Sequence, residues 1–256
     1  ALGAPKDRIA VTGNLKWAVS VPEQAAASDG EDLRRLLKLS PRSVLWTAAS
    51  THPGEEKMVL RVYRNLKEKF PALRLLIAPR HPERVGEVEQ QVKEEGLSSV
   101  RRTTLEGMNG SEKEPVILLD TLGELTRFYR ISDVTFVGGS LVPHGGHNLI
   151  EPAFFSRPIL TGSYLHNFQS VAEALHAAGG IGIVKSAEEL EERLRRLLEN
   201  PALRNELGKR AHSVIREHRG ATERTVELIL RRLGGELGAR LGPGASPPAR
   251  GRDHHA

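Results

Sequence analysis

Cysteine is absent from the 256 residues of the chain. This absence excludes disulfide bonds and zinc sites with thiolate ligands, and it is typical of proteins kept in a reducing compartment. Phe, Trp and Tyr together make up only 4% of the residues, which leaves few platforms on which single-stranded nucleic acid could stack. The sequence also contains no apolar run near the roughly 20 residues that a membrane-spanning helix needs.

The composition that remains is ordinary for a globular protein, with a basic balance. Hydrophobic residues make up 39% and charged residues 27%, enough to bury a core. The 37 Lys and Arg outnumber the 32 Asp and Glu, and the net charge of +5 favours anionic ligands such as phosphorylated small molecules. Because the charges are interspersed and aromatic residues are few, we expect no nucleic-acid partner.

Short β-rich runs alternate with amphipathic stretches along the chain. We predict strands at 43–47, 73–78, 99–103, 116–119, 133–137, 158–160 and 181–184. We predict helices at 54–70, 82–95, 122–130, from about 151, and at 167–178, 186–199, 202–217 and 221–233. This alternation predicts an α/β fold, a doubly wound Rossmann-like parallel sheet that binds its ligand at the carboxyl ends of the strands.

The domain organisation predicted from composition is simple. Residues 1–233 form one Rossmann-like domain, and residues 234–256, rich in Gly, Pro, Ala and Arg with little apolar pattern, form a disordered tail. The chain begins at Ala1 without an initiator Met, from which we expect a piece of a longer protein.

The densest signal is the segment GGSLVPHGGHNLIEPA at 138–153. Its glycine pairs, which include Gly145 and Gly146, let the backbone approach a ligand closely, and the free amides at the start of the following helix favour an anion. A plain strand-to-helix turn explains the same glycines. The spacing of the glycines matches neither the phosphate-binding loop of nucleoside triphosphatases nor the glycine fingerprint of dinucleotide-binding domains.

Glu151 follows this loop at the start of the predicted helix, and two explanations stay open. Its carboxylate complements the helix dipole, either in a capping box with Asn148 or, because Pro152 prefers the first helical position, as the cap itself. Alternatively, the carboxylate accepts hydrogen bonds from two ribose hydroxyls.

His144 and His147 lie three residues apart, which resembles the spacing of a metal site. The intervening glycine pair disfavours one continuous helix, so we predict no metal and expect His147 or its amide to contact a phosphate.

Three further clusters follow predicted strands. AASTHPGEE at 48–56 offers Ser50, Thr51 and His52, which suit a helix cap as well as a phosphate or a sugar carboxylate. APRHPER at 78–84 places Arg80 and other basic residues where an anion would bind, or in a solvated turn. DTLGEL at 120–125 contains Gly123 and is equally consistent with a helix cap. All of these clusters converge on one edge of one sheet.

The ordered motifs VTGNLKWA, AASTHPGEE, APRHPER, DTLGEL, FVGGSLVPHGGHNLIEPA and TGSYLHNF resemble the C-terminal half of the 3-deoxy-D-manno-octulosonic acid (Kdo) transferases, over roughly residues 1–232. Members of that family are GT-B glycosyltransferases. The resemblance implies a C-terminal Rossmann-like domain that binds CMP-Kdo, with no metal and no cofactor. The N-terminal domain, with its membrane anchor, lipid A acceptor site and catalytic glutamate, is absent from this sequence.

The resemblance implies roles for the glycine loop. Gly145, Gly146, His147 and Asn148 would face the CMP phosphate, and Glu151 would hold the ribose.

The resemblance also implies roles for the other clusters. Arg80 and the 120–125 loop with Gly123 would lie near the cytosine. Ser50, Thr51 and His52 would lie toward the phosphate or the Kdo carboxylate.

The implied reaction inverts the anomeric carbon as CMP departs, and it transfers Kdo to a lipid A precursor at the cytoplasmic face of the bacterial inner membrane. Because the base belongs to the missing half, we expect the isolated chain to be inactive. Two alternatives stay open: a GT-B enzyme that uses a UDP-sugar, and a nucleotide-binding fragment without catalysis.

Overall fold

The computed structural model describes residues 3, 5, 8–13, 17, 30–107, 115–218 and 220–241. Their contacts divide the chain into two compact units, residues 19–217 and residues 1–18 together with 218–256. Among the described residues, no helix is long and apolar enough to cross a membrane.

The larger unit alternates strands and helices. Its strands are β1 (Val44–Thr51), β2 (Leu73–Pro79), β3 (Ser99–Arg101), β4 (Val116–Leu118), β5 (Val134–Val137), β6 (Ile159–Thr161) and β7 (Ile181–Ile183). Its helices are α1 (Gly30–Leu36), α2 (Glu55–Lys67), α3 (Val85–Glu94), α4 (Leu125–Tyr129), α5 (Ile150–Phe154), α6 (Gln169–Ala177), α7 (Ala187–Glu199) and α8 (Pro201–His218). Short 3₁₀ turns occupy Pro82–Arg84 and Arg102–Gly107.

The seven strands form one sheet in the order β3-β4-β2-β1-β5-β6-β7, and every pairing is parallel. The predicted α/β doubly wound fold is therefore confirmed. The strand order reverses between β1 and β5, where Trp46 pairs with Val134 and Ala49 with Val137. A crevice opens at such a reversal because the two following connections leave the sheet in opposite directions.

Helices cover both faces of the sheet. On one face, α2, α3 and α7 bury apolar side chains such as Tyr63, Val88 and Leu194 against the strands. On the other face, α1 and α4 contribute Leu33 and Phe128 to a second cluster. Because helices cover both faces of the sheet, a central strand such as β2 is buried at every position. Such strands appear in the sequence as nearly continuous apolar runs.

Sequence patterns located most elements, and the largest differences are one short helix that was not predicted and the last helix, which extends to Leu241 and not to 233. Helix α1 was not predicted, and α4 begins at Leu125 rather than at 122. The hydroxyl of Ser186 caps α7 by accepting a hydrogen bond from the Glu189 amide. The Glu189 carboxylate itself accepts from the Lys185 amide.

The smaller unit contains helix α9 (Ala221–Leu241). Arg224 Nε donates to the Thr12 carbonyl at 2.9 Å, and the Thr225 hydroxyl donates to the Thr12 hydroxyl at 2.8 Å. The Trp17 ring stacks on His218 with centroids 4.2 Å apart. The predicted domain boundary at 233 falls inside α9, and residues 242–256 of the predicted tail lie outside the described residues.

Candidate functional site

The candidate site lies at the carboxyl ends of the strands, beside the reversal between β1 and β5. The carboxyl end of β1, the loops that follow β1, β2, β4 and β5, and the first turn of α5 carry all ten predicted site residues. The register of the sheet places these loops next to one another, because β2 and β5 flank β1 on its two sides.

A cleft of about 230 Å³ opens between the loops after β1, β2 and β4 and the start of α5. It is lined by Ser50, Ala78, Pro79, Arg80, Pro82, Leu119, Thr121, Leu122, Gly123, Leu125 and Glu151. Four of the predicted residues, Ser50, Arg80, Gly123 and Glu151, therefore line one cleft. Leu122 is 79% exposed and offers an apolar surface at its side.

Glu151 is held by two side chains. Its Oε2 accepts a hydrogen bond from the Thr126 hydroxyl at 2.7 Å, and its Oε1 accepts from Asn148 Nδ2 at 2.9 Å. A carboxylate has about four acceptor positions, so each oxygen keeps one for a ligand. No backbone amide donates to Glu151 among the described residues, so its carboxylate does not cap α5 in the way that a capping box requires.

Asn148 links this carboxylate to the helix. Its side-chain oxygen accepts from the Ile150 amide at 2.9 Å while its nitrogen donates to Glu151. With the two ends of its side-chain amide, Asn148 therefore binds the first amide of α5 and orients Glu151, while the N-cap residue of α5 is Leu149.

Four histidines from three loops gather beside the cleft. The rings of His52 and His144 stack with centroids 4.0 Å apart, and the rings of His52 and His147 are nearly parallel at 5.0 Å. Nε2 of His52 lies 2.7 Å from Nε2 of His147, so one ring donates a hydrogen bond and the other accepts it. His81 approaches the edge of His52 at 6.1 Å.

The histidine cluster disfavours the charged form of its inner members. Burial and, to a smaller extent, the neighbouring His52, Arg80 and His144 together lower the pKa of His147 to about 4. Burial also lowers the pKa of His52, with further contributions from His144 and His81. An anion placed against these rings would offset the repulsion, and Arg80, which is exposed at the same edge, adds a permanent positive charge.

The second glycine pair packs tightly against the loop after β6. Gly145 has φ +93, and a side chain there would clash with His166 and Asn167. Gly146 has φ +76, and a Cβ would lie 2.9 Å from Leu165. The Gly146 amide donates to the Gly139 carbonyl at 2.7 Å, so this amide is already bound rather than free for a phosphate. These glycines shape the loop that carries His144 and His147.

The last two residues of β1 and the residue after it are three predicted site residues, and they differ in burial. Ser50 has a left-handed φ of 52 and lines the cleft. Thr51 is completely buried, and its carbonyl accepts from the Arg80 amide at 3.0 Å. The predicted ligand contact of the Thr51 side chain is therefore not available in this structure, because no side-chain surface faces the cleft. His52 is nearly buried beneath the other imidazoles.

The loop after β4 is held by a hydrogen bond to a residue that does not line the cleft. Asp120 accepts from the Thr103 amide at 3.1 Å and does not cap α4. Gly123 has φ +81 with open space where a side chain would begin, so the position requires glycine for its backbone conformation. Among the described residues, no group of three or more His, Asp or Glu side chains has the geometry to hold a metal ion.

Two adjacent buried glutamates complete the site, and the sequence analysis did not single them out. Glu55 accepts four backbone amides, from His52, Gly139, Ser140 and Leu141. Glu56 pairs with Arg84, whose Nη1 lies 2.8 Å from its Oε1. The only sequence signal was a pair of acids in the first turn of α2, where helix-dipole stabilisation already explains them.

Comparisons with known proteins agree with this geometry. Residues 55–214 match the family model described as Glycosyl transferases group 1. The chain is 41% identical to a 3-deoxy-D-manno-octulosonic acid transferase of Haemophilus influenzae over 89% of its own length and 52% of that protein. It is 33% identical to a transferase of the same name from Bordetella pertussis, over 86% of the chain and 50% of the relative.

A solved structure matches almost in full. The crystal structure of the C-terminal CMP-Kdo binding domain of WaaA from Acinetobacter baumannii is 31% identical, with a TM-score of 0.67, and the match covers 75% of this chain and 96% of that one. The chain spans about half the length of the curated relatives. The chain belongs to the glycosyl transferases group 1 family and, within it, to the 3-deoxy-D-manno-octulosonic acid transferases, where it corresponds to the C-terminal domain.

Proposed function

We propose that this chain is the donor-binding half of a Kdo transferase and that it holds CMP-Kdo in the cleft between β1, β2, β4 and α5. The observation that carries the proposal is Glu151, a carboxylate that lines the cleft while Thr126 and Asn148 fix its two oxygens. A carboxylate oriented in this way is suited to accept hydrogen bonds from the two hydroxyls of a ribose.

The surroundings of Glu151 suit the remaining parts of the nucleotide. The exposed Leu122 and the backbone at Gly123 offer a surface to the cytosine. Arg80 lines the same cleft and lies close enough to His147 to affect its pKa, so Arg80 and the histidine cluster would receive the phosphate and the Kdo carboxylate. The similarity to a domain named for CMP-Kdo binding supports this choice of donor.

The reaction proposed for the complete enzyme is an inverting transfer. The bond from the anomeric carbon of Kdo to the phosphate oxygen of CMP breaks, and a hydroxyl of a lipid A precursor attacks the opposite side. Arg80 and the imidazoles would stabilise the negative charge that CMP carries away. The base that takes the acceptor proton, the acceptor site and the contact with the cytoplasmic face of the inner membrane belong to the other half of the enzyme.

Isothermal titration with CMP, UMP and UDP in the presence of EDTA tests the proposal. We expect CMP to bind more tightly than UMP or UDP, with a Kd on the order of 0.1–1 mM because only one wall of the full site is present. Glu68→Gln removes an exposed carboxylate at the far end of α2. It is the charge-matched control for substitutions of glutamates at the site, and we expect it to leave CMP binding unchanged. Equal or tighter binding of UDP would favour an enzyme that uses a UDP-sugar.

A further inference from the structure

The first turn of α2 sits between two of the loops that form the site, and its two glutamates reach in different directions. Glu55 is fully buried. Its Oε2 accepts from the amides of His52 at 3.0 Å and Gly139 at 2.7 Å. Its Oε1 accepts from the amides of Ser140 at 3.0 Å and Leu141 at 2.9 Å. All of the acceptor positions of this carboxylate are therefore used by backbone amides.

A buried carboxylate is costly unless its charge is compensated. No Lys, Arg or His of the described residues forms an ion pair with Glu55, so the compensation comes from the four amide dipoles and from the amino end of the 13-residue helix α2. Hydrogen bonds to an ionised acceptor are about twice as strong as neutral ones. Three of them therefore hold residues 139–141 against the first turn of α2, and the fourth holds the His52 amide after β1.

The first glycine pair is explained by this contact. A Cβ on Gly138 would lie 2.7 Å from Glu55 Oε2 and 2.8 Å from the Ser50 carbonyl. Gly139 has φ +65, and a Cβ there would lie 2.9 Å from the ring of His147. The pair is thus needed for the approach of the Glu55 carboxylate and the His147 ring.

Glu56 acts on the opposite side of the same helix turn. Its side chain is fully buried, and it binds Arg84 in the 3₁₀ turn that follows β2. That turn directly follows Arg80 and His81. The two neighbouring carboxylates therefore attach the first turn of α2 to the β5–α5 loop on one side and to the β2–α3 connection on the other.

We propose that Glu55 is a positioning residue for donor binding: its carboxylate fixes residues 139–141 and the His52 amide, and so sets the His52–His147 pair against which the donor anion rests. This inference rests on the proposed function for the identity of the ligand. The position of residues 139–141 does not depend on which ligand the site binds. Glu55 touches no ligand and acts only through the groups that it orients.

The main test is Glu55→Gln, which keeps the size of the side chain. An amide presents one acceptor oxygen and one donor nitrogen, so two of the four backbone amides face a donor and lose their partner. We expect the Kd for CMP to rise about tenfold or more. The amide proton signals of Gly139, Ser140 and Leu141 should move upfield in a ¹H–¹⁵N spectrum, while those of the central strands stay in place. Glu68→Gln is the matched control and changes neither.

A purely structural role predicts a different pattern. Glu55→Gln would then lower the melting temperature, yet the folded protein would bind CMP with the wild-type Kd, and that result overturns the proposal. If Glu55→Gln does not fold, hydrogen exchange of the wild-type chain decides. Slow exchange of the amides of residues 139–141, at the rate of the adjacent β5, supports the proposal, and exchange at the rate of an exposed loop overturns it.

Two results distinguish an error in the proposed function from an error in the proposed role of Glu55. A wild-type chain that binds no CMP, but whose amides at 139–141 are protected and shift in Glu55→Gln, contradicts the assignment of the ligand while supporting the role of Glu55 in fixing the loop. A wild-type chain that binds CMP, with these amides unprotected, contradicts the role of Glu55 alone.

Discussion

Replacing Glu151 by Gln separates its two possible roles, as a ribose ligand and as a structural part of the α5 terminus. In the unliganded chain, Gln keeps an oxygen that can accept from Asn148 Nδ2, and its amide nitrogen can donate to the Thr126 hydroxyl, which rotates to accept. Both hydrogen bonds survive without charge assistance. We therefore expect the free energy of unfolding to fall by only about 1 kcal/mol.

We expect Glu151→Gln to affect the affinity for CMP more than the stability of the free protein. If the two remaining acceptor positions of Glu151 receive ribose hydroxyls, Gln replaces one charged acceptor by a donor and leaves the other uncharged. A hydrogen bond to a charged group contributes about 1.5–3 kcal/mol, and about 1.4 kcal/mol corresponds to a factor of ten in Kd. We expect the Kd for CMP to rise roughly ten- to a hundredfold.

A deoxy ligand makes the assay specific. Calorimetric titrations of wild type and Glu151→Gln with CMP and 2′-deoxy-CMP form a double-mutant cycle between the carboxylate and one hydroxyl. The wild type should bind CMP more tightly than the deoxy compound, and Glu151→Gln should lose most of this discrimination. A change of about 1 kcal/mol in stability shifts the melting temperature by roughly 2–4 °C in a domain of this size, so calorimetry of the free protein gives the second readout.

Two results would refute the reasoning. Glu151→Gln that binds CMP like the wild type, with a melting temperature several degrees lower, would make Glu151 a structural residue only. Discrimination between CMP and 2′-deoxy-CMP that persists in the variant would place the ribose elsewhere.

Three further predictions follow from the same loops. The pKa of His147 is lowered to about 4 from 6.5, so as the pH falls from about 6.5 the unfolded chain binds the proton first and the free energy of unfolding decreases down to about pH 4. Because His147 is only partly buried, we expect about 1–2 kcal/mol from urea unfolding across this range, and His147→Asn should remove that slope; an unchanged slope contradicts it. Gly139→Ala places a Cβ against the His147 ring at φ +65, and we expect weaker CMP binding and lower stability by about 1–3 kcal/mol, while the exposed Gly86→Ala in α3 is tolerated. The chain alone should transfer no Kdo to a lipid A precursor, and turnover by a pure preparation would refute the division of labour between the two halves.

The sequence predicted the sheet well because each buried strand of this fold is a short apolar run between helical patterns. The strand at 73–78 matches Leu73–Pro79, and the strand at 181–184 matches Ile181–Ile183. Helix α1, in contrast, has a single buried residue, Leu33, and so gives almost no periodic signal. The order of the strands and the reversal between β1 and β5 depend on long-range pairing, which no local pattern specifies.

The candidate site was predicted in outline, and its internal structure was not. Gly123 was singled out after a predicted strand and Glu151 at the start of a predicted helix, and both line the cleft. The sequence could not separate Thr51, whose side chain faces the interior, from Ser50, which faces the cleft, because the left-handed φ of Ser50 interrupts the alternation of the strand. Glu55 was missed because three of its four partners are backbone amides 84 to 86 residues away in sequence.

The central claim is that the donor nucleotide lies in the cleft with its ribose on Glu151 and its phosphate toward the histidine cluster. A crystal structure of this chain soaked with CMP tests it most directly. The account predicts both ribose hydroxyls within hydrogen-bond distance of the Glu151 carboxylate, the cytosine beside Gly123, and the phosphate within reach of Arg80 or His147. A nucleotide bound with its ribose away from Glu151, or outside this cleft, would contradict it.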